Sequence, residues 1–146
     1  MSKGNTFEND LLLLIFNNTD IADIGDAGGL QNSATAGSLY VALHTGDPGE
    51  AGTATTSEAA YGSYARVAVA RSGAGWTVAA NVSSNAALIQ FPECTSGSET
   101  ISYVSITTAS SGATKILYSG ALTASRAISS GIQPQFAASA LTVTED

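Results

Sequence analysis

Hydrophobic and polar residues alternate along most of the chain, with the two-residue period of half-buried β-strands. The clearest case is the segment 39–45, in which Leu39, Val41 and Leu43 occupy alternate positions. The next four residues contain two glycines and a proline, which end the strand in a tight turn. Similar segments between clusters of Gly, Ser and Ala predict about eight short strands. They cover residues 39–45, 64–71, 75–79, 86–91, 101–107, 115–121, 126–128 and 140–144.

A helical period appears only near the N-terminus, where apolar residues recur at α-helical spacing within residues 5–25. Asn5 is placed to cap this helix, and Glu8 follows three positions later, as in a capping box. The apolar face is so wide that it must be covered on more than one side, by the protein's own β-domain or by a neighbour. Its members are Phe7, Leu11, Leu12, Leu13, Leu14, Ile15 and Phe16.

These elements predict an all-β fold, an antiparallel β-sandwich or jelly roll of about eight strands with a short N-terminal helix. Residues 1–37 form the predicted N-terminal helix and linker arm, and residues 38–146 the β-sandwich domain. The apolar strand positions define the expected core. They are Leu39, Val41, Leu43, Val67, Val69, Trp76, Val78, Leu88, Phe91, Ile101, Val104, Ile106, Ile116, Leu117, Leu122, Phe136, Leu141 and Val143.

The composition narrows the classes of function. Charged residues make up 12% of the 146 residues, against about 25% in an average globular chain. The net charge is −7, from 12 acidic and 5 basic residues, which argues against direct nucleic-acid binding because that requires a basic surface. The apolar run 11–16 is too short to cross a bilayer. We therefore expect neither nucleic acid nor membrane as a direct partner. Because Cys94 is the only cysteine and no disulfide within the chain is possible, we also expect a protein made in a reducing cytoplasm.

The residue types that carry chemistry do not form a catalytic or metal-binding pattern. Asp47 is placed to orient His44, the only histidine, but no serine nearby has the surroundings of an activated nucleophile. We interpret His44 as a strand-end residue that bonds the following turn. Asp20, Asp23 and Asp26 lack the alternate-position spacing of a calcium loop, and one cysteine with one histidine cannot build a zinc site. The sequence thus predicts no enzymatic activity, no cofactor and no metal.

The segment 46–62 is rich in Gly, Ala and Thr and has no large apolar residue before Tyr61. We interpret it as a mobile surface loop or as an arm ordered by a partner, with Tyr61 and Tyr64 holding its return. Arg66 and Arg71 lie on the strand that follows. Because arginine forms paired hydrogen bonds with carboxylates, each is a candidate partner of an acid on this or another subunit.

Several strings of sequence, taken in order, carry a family resemblance. They are LLLLIFNNTDIADIGD near the N-terminus, LYVALHTGDPGEAG, TTSEAAYGSYARVAVAR, GWTV, ISYVSITTASSGATKILYSGALTASRAISSG and the terminal FAASALTVTED. In this order and spacing, the chain resembles a family of small bacteriophage virion proteins, described variously as capsid cement (decoration) proteins and as tail-fibre-like proteins. The resemblance implies a small β-domain present in many copies on a viral particle.

Two structural roles follow from this resemblance. The first is a homo-oligomeric (dimeric or trimeric) decoration protein on the outer capsid surface, which bridges neighbouring copies of the major capsid protein and stabilises the head. The alternative is a tail-fibre or tail-tip component that recognises the host, and copy number per particle discriminates between the two. A small hydrolase using His44 and Asp47 is a third hypothesis. The expected interface residues are Phe7, Leu11, Leu12, Leu14, Ile15, Phe16, His44, Asp47, Glu50, Glu58, Tyr61, Tyr64, Arg66 and Arg71.

Overall fold

The protein, described over residues 2–146 by a computed structural model, is mostly β with one helix near the N-terminus. The prediction of a β-rich fold with a short N-terminal helix is confirmed. Helix α1 covers Asn5–Asn17. The strands that follow are β1 (Ser38–His44), β2 (Val67–Ala70), β3 (Trp76–Ala79), β4 (Val82–Asn85), β5 (Ile89–Gln90), β6 (Ser98–Thr107), β7 (Ile116–Ser129), β8 (Gln135–Phe136) and β9 (Thr142–Thr144).

The strands form three sheets among the described residues. The largest has the order β2-β1-β6-β7, the second has the order β3-β4-β9, and β5 pairs with β8. The pairs β1–β6, β6–β7, β3–β4 and β4–β9 are antiparallel. The antiparallel character is as predicted, whereas the arrangement of the sheets as a sandwich or jelly roll stays a prediction.

The chain divides into two compact units. The first, which we call the helical unit, consists of the described residues up to Ser38 with Val69–Leu88 and Phe136–Asp146. The second, the hairpin unit, consists of Leu39–Ala68 with Ile89–Gln135. Neither unit is a continuous stretch of chain, because the backbone passes between them after residues 38, 68, 88 and 135.

In the helical unit, α1 lies against β3 and β4. The contact includes Phe16 and Trp76, both fully buried, whose ring centroids are 4.7 Å apart at an interplanar angle of 60°. Leu12, one turn before Phe16 in the helix, is also fully buried. Large aromatic side chains remove the most apolar area from water, so this cluster is a main source of the unit's stability.

Only part of the predicted apolar face of α1 is buried. Glu8, Leu12 and Phe16 are buried, whereas Phe7 is 40% exposed. The helix begins at Asn5 itself and has no side-chain capping bond, so the capping box predicted for Asn5 and Glu8 does not form. Because apolar residues stand on nearly every side of this helix, their pattern did not determine which side packs inward.

The C-terminus of α1 lies at Asn17, not near residue 25, because Asn18 adopts a left-handed conformation with φ of 56°. Arg71 caps this end of the helix. Its Nε donates to the carbonyl oxygen of Ile15 at 2.7 Å, and its Nη2 to that of Leu14 at 2.6 Å. The last four helical carbonyls have no partner within a helix, and a positive charge there also complements the helix dipole.

A buried asparagine holds the C-terminal segment of the helical unit. The Nδ2 of Asn85 donates to the carbonyl oxygens of Ala87 and Ala137 at 2.7 and 2.8 Å. Its Oδ1 accepts a hydrogen bond from the N–H of Leu141 at 2.8 Å. The fully buried amide therefore replaces the water that these backbone groups would otherwise bind.

In the hairpin unit, β1 pairs with β6 and is buried on both sides. By strand alternation, Val41 and Leu43 face one side, whereas Ala42 and His44 face the other, together with Ser105 of β6. All five residues are buried. The prediction of a half-buried strand is therefore wrong for β1, whose second side is polar and covered.

Several predicted strands and core positions are corrected. Segments 115–121 and 126–128 belong to one strand, β7, with a four-residue bulge between them. Strand β4 was not predicted because its inward residues, Ser83 and Asn85, are polar; the two-residue β8 gave no periodic signal. Leu88, expected in the core, is 52% exposed. Seven other predicted core residues are half-buried and not buried: Val67, Val69, Val78, Ile116, Leu117, Leu122 and Phe136.

The remaining core prediction is confirmed. Its buried members come from both units. They are Leu39, Val41, Leu43, Trp76, Phe91, Ile101, Val104, Ile106, Leu141 and Val143. The remaining strands match their predicted segments within about three residues at either end, where sequence patterns are least informative.

Candidate functional site

The loop between β1 and β2 folds back on its own unit. The N–H of Thr45 donates to the carbonyl oxygen of Ser57 at 2.8 Å, and the N–H of Ala54 to that of Thr114 at 2.9 Å. Ala54 is completely buried, and Ala59 is 4% exposed. The loop thus has anchors within its own unit, which neither predicted alternative, a mobile surface loop or an arm ordered by a partner, included. Small side chains and backbone bonds supply the anchoring that the sequence led us to expect only from large apolar residues.

Arg66 joins this loop to the turn between β6 and β7. Its Nε and Nη2 donate to the two carboxylate oxygens of Glu58 at 2.6 and 2.8 Å, in a paired geometry. Its Nη1 donates to the carbonyl oxygen of Ala109 at 3.0 Å and to Oγ1 of Thr114 at 3.2 Å, and Nη2 also donates to the carbonyl oxygen of Gly112 at 2.9 Å. All five guanidinium N–H groups are therefore used. We call these five residues the loop clasp.

The ion pair of the loop clasp is shielded from solvent. The side chain of Arg66 is 2% exposed and that of Glu58 16%. The hydrogen bonds to Glu58 raise the pKa of Arg66. The Tyr64 hydroxyl donates to Oε1 of Glu58 at 3.2 Å and accepts from the N–H of Leu43 at 3.0 Å. Burial raises the pKa of Tyr64, so its hydroxyl remains protonated and continues to donate at neutral pH.

His44 is fully buried beside the loop clasp. Its Nδ1 lies 2.9 Å from the carbonyl oxygen of Thr56, and its Nε2 lies 2.7 Å from Oγ of Ser105. A carbonyl oxygen can only accept, so Nδ1 carries the proton and Nε2 accepts from the Ser105 hydroxyl. Burial lowers the pKa of His44, although the carbonyl of Thr56 and the charge of Glu58 oppose that effect. The neutral imidazole thus ties the loop to strand β6.

The hypothesis that Asp47 orients His44 is wrong. Oδ1 of Asp47 accepts from the N–H of Gly49 at 2.8 Å, within the turn after β1, and the two ring nitrogens of His44 have other partners. His44 does lie at the end of β1, but its Nδ1 bonds Thr56, later in the loop, and not the turn directly after the strand. Ser105 does lie within hydrogen-bonding distance of His44, but it is only 1% exposed.

Tyr61 and Tyr64 hold the return of the loop, as predicted. Their ring centroids are 5.3 Å apart, and the ring of Tyr64 stacks on that of Phe91 at 6.3 Å. The Tyr61 hydroxyl donates to the carbonyl oxygen of Pro92 at 3.1 Å, and its N–H donates to Oε1 of Glu99 at 3.2 Å. Burial, with the nearby charge of Glu99, raises the pKa of Tyr61 to about 12.

The structure brings only some of the predicted interface residues together. In the hairpin unit, the structure brings Glu58, Tyr64 and Arg66 together, with His44 and Tyr61 adjoining them through the same loop. In the helical unit, Arg71 meets the end of α1. The others are on α1 or in the turn after β1: Leu12 and Phe16 are buried, Leu11, Leu14 and Ile15 are half-buried, and Phe7, Asp47 and Glu50 are exposed.

The acidic residues after α1 serve the backbone of their own loop. Oδ1 of Asp26 accepts from the N–H groups of Gly28 and Gly29 at 2.8 and 3.2 Å, and Oδ1 of Asp20 accepts from the N–H of Asn32 at 2.6 Å. Over residues 2–146, no three His, Cys, Asp or Glu side chains are grouped so that they could hold a metal ion. The only helix in this range is too short to span a bilayer.

Sequence reasoning missed several partners in this network. Ser105 and Thr56 were not singled out, nor was Glu99, although their bonds to His44 and Tyr61 organise the loop. Hydroxyls and carboxylates on the polar side of a strand look like solvent-facing residues. A signal was present in β6, where polar Ser105 is flanked by Val104 and Ile106, both of which were predicted core residues.

A β-rich chain whose long loops are bonded together by a buried polar network is compatible with a structural role, and comparison with known families makes this specific. Residues 4–144 match the family model described as Podophage GP4 fiber I protein gp80. The chain is thus a structural protein of the bacteriophage virion. It belongs to the podophage GP4 fiber I protein gp80 family. A comparison with curated proteins gives no significant match.

Proposed function

We propose that this chain is a structural component of a phage tail fibre or tail tip and takes part in recognition of the host surface. The observation that carries the proposal is the family match over residues 4–144, because that family is described as a fibre protein. The loop clasp supports it physically. Loops that contact a receptor lose less conformational entropy on binding when they are held in place beforehand.

Within this proposal, the recognition surface is formed by the exposed parts of the two clasped loops. Ser110, Ser111 and Ala113 in the turn after β6 are exposed, as is Glu50 in the loop after β1. Within the turn after β6, Arg66 bonds the neighbouring backbone carbonyls of Ala109 and Gly112. This division leaves the exposed side chains available for a partner while the clasp maintains the shape of the loops.

The remaining parts of the proposal concern partners and chemistry. We propose a homo-oligomer, a dimer or trimer, located on the virion after synthesis in the host cytoplasm, with no nucleic acid or membrane as a direct partner. We also propose that it is not an enzyme, because the ring nitrogens of His44 are both used in hydrogen bonds, to Thr56 of the loop and to Ser105 of β6. Loss of a surface-polysaccharide-degrading activity on substitution of His44→Ala would contradict this last part.

Capsid decoration is the second candidate function. It would place the chain on the outer capsid surface, in a jelly-roll or sandwich arrangement, bridging neighbouring copies of the major capsid protein. Its support is the sequence resemblance to small virion proteins described as capsid cement proteins. In this role the exposed Phe7, at the start of α1, would be covered by a neighbouring subunit.

The position and copy number of the chain in purified particles test the two candidates. We expect a small number of copies at the tail, measured by quantitative mass spectrometry and located by electron cryomicroscopy. Purified protein should also compete with phage for adsorption to host cells. Hundreds of copies on the head, together with particles that lose heat resistance when the protein is absent, would overturn the fibre proposal and support decoration.

A matched pair of variants tests the recognition surface. Ser111→Trp alters an exposed side chain of the clasped turn, and Thr77→Trp alters an exposed residue of β3 in the helical unit. Ser111→Trp should weaken the competition for adsorption at least tenfold, whereas Thr77→Trp should leave it unchanged. Equal effects of the two substitutions would contradict the assignment of this surface.

A further inference from the structure

Strand β7 lies at the edge of the largest sheet. It follows β6 as the last strand in the order β2-β1-β6-β7, so only one of its two sides is used by the sheet. Between Ser119 and Ala127 every residue is exposed except Leu122, which is half-buried. A Cβ atom placed on Gly120 would meet no other atom within 4 Å. The strand is therefore open on both faces as well as along its outer edge.

The unused side of β7 presents backbone groups to solvent. The bulge increases their number, because the pairing moves from Tyr103 opposite Ala121 directly to Ile101 opposite Arg126. The four residues from Leu122 to Ser125 thus oppose Ser102 alone. Open strand edges with free N–H and C=O groups pair readily with another strand, and proteins usually protect them with charge, proline or a bulge that twists the edge away. In β7 the bulge therefore limits the length of edge that can pair. Residues 119–127 contain one charged residue, Arg126, and no proline.

The charge distribution favours a second copy of the chain at this edge. The net charge is −7, so two copies repel each other on average, yet residues 100–144, which include β7, contain no acidic residue. In an antiparallel pairing centred within residues 119–124, the two Arg126 side chains are separated by at least four residues, or about 13 Å along the strand. That exceeds the screening length of about 8 Å at physiological salt. The small side chains of this segment also leave room for a close approach.

We infer that two copies of this chain associate through their β7 strands, by antiparallel backbone pairing across the segment 119–127. The pairing is two-fold and self-complementary, the commonest form of homo-oligomeric contact. This inference deepens the homo-oligomer part of the proposed function by naming its interface. Because the bulge bends the edge, the paired segment is short, and we expect association in the micromolar range.

Sedimentation velocity over a concentration series, combined with hydrogen exchange, tests the inference on the full chain. We expect a reversible monomer–dimer equilibrium and slower exchange of the amides of residues 119–127 at high concentration than at low. Monomer at every concentration would overturn the inference and favour a strand from a different protein. Association without protection of these amides would overturn it too, while leaving the homo-oligomer proposal and the fibre proposal standing.

Two edge variants and one control assign the contact. Ala121→Lys places two new positive charges across the pairing, and Ala124→Pro removes a backbone donor. Thr100→Lys puts the same charge on an exposed position of β6, which is paired there with Ala127 on the inner side of β7 and is not on its open edge. Ala121→Lys and Ala124→Pro should raise the dissociation constant at least tenfold, and Thr100→Lys should not. If Ala124→Pro fails to fold by circular dichroism, Ala121→Lys decides alone; equal effects of the two lysines would contradict the inference.

Discussion

At the scale of single residues, the polar interior of the hairpin unit depends on complete pairing. Arg66 donates all five of its N–H groups, and the two ring nitrogens of His44 both have partners. A buried charge or dipole is tolerable only when its bonds are satisfied, because desolvation costs several kcal/mol otherwise. Each member of this network is therefore expected to be intolerant of substitutions that remove only one partner.

Substitution of Arg66→Ala should lower the free energy of unfolding by about 3–5 kcal/mol, because it leaves Glu58 shielded and unpaired. Arg66→Lys should recover only part of this, since an ammonium cannot reproduce the paired geometry. Urea unfolding measures both. Lys115→Ala is the control: it removes a positive charge at an exposed position of the same unit, and its loss should cost less than about 0.5 kcal/mol. Equal losses for Arg66→Ala and Lys115→Ala would contradict the role of the buried ion pair.

His44 should make the stability depend on pH. Burial holds its pKa below the ordinary 6.5 in the folded chain, so the unfolded chain binds the proton more readily. The contribution of His44 to stability is complete above about pH 6.5 and is lost as the pH falls towards the lowered pKa of the folded state. The melting temperature should therefore fall between about pH 7 and 5.5. In His44→Gln, the melting temperature should fall less over this pH range than in the unsubstituted protein. An equal fall in the two proteins would show that other groups cause the pH dependence.

At the scale of secondary-structure elements, α1 depends on a residue distant in sequence. Arg71 bonds to Leu14 and Ile15, which are 57 and 56 positions away. It supplies to the helix C-terminus both a donor and a positive charge. The helix is 13 residues long, near the length at which isolated helices are marginal, so such tertiary contacts decide its stability.

Arg71→Ala should loosen the last turn of α1. A loss of about 1–2 kcal/mol corresponds to roughly 5- to 30-fold faster amide exchange in that turn, measured by NMR or mass spectrometry. Lys115→Ala, at an exposed position in the hairpin unit, should leave this exchange unchanged. Unchanged exchange in Arg71→Ala would mean that the packing of Phe16 on Trp76 alone holds the helix end.

The contrast between β1 and α1 explains how much of the fold the sequence predicted. Strand alternation is a local property, so the positions of Val41 and Leu43 in the core followed directly from it. The inward side of α1 did not, because it depends on Trp76 from a distant strand. The loop clasp could not be predicted from the sequence for the same reason, because Arg66 and Gly112 are 46 positions apart. The sequence identified Arg66 as a paired residue, but not the backbone carbonyls that pair with it.

At the scale of the whole molecule, the two compact units are interleaved along the chain. The N-terminal segment belongs to the same unit as strands β3, β4 and β9. Helix α1 packs on β3 and β4, and Lys3 pairs with Glu145, directly after β9. If the helical unit unfolded, its segment Val69–Leu88 would become a flexible loop of 20 residues between Ala68 and Ile89 of the hairpin unit. Holding the two ends of such a loop together costs chain entropy, and this cost is smaller when the segment is folded. We therefore expect the two units to unfold in one cooperative transition.

Removal of residues 1–37 tests whether the N-terminal segment is a separable arm. The deletion takes away Phe16, which packs on Trp76, the only tryptophan in the chain. Because Trp76 is fully buried, we expect its fluorescence to shift to longer wavelength and the melting temperature to fall. Full-length protein with Phe7→Ala, at an exposed position, is the control and should keep the original spectrum. An unchanged spectrum in the deletion variant would support an independent β-domain beginning at residue 38.

The loop clasp also has a consequence for how such a protein can diversify. Arg66 holds the turn after β6 mainly through the carbonyl oxygens of Ala109 and Gly112, and through a side chain only at Thr114. Carbonyl groups are common to all amino acids, so the identities of residues 110, 111 and 113 can change without loss of these bonds. On the recognition role proposed above, the outward-facing residues of this turn can be exchanged as the host surface changes, while the backbone bonds to Arg66 are kept.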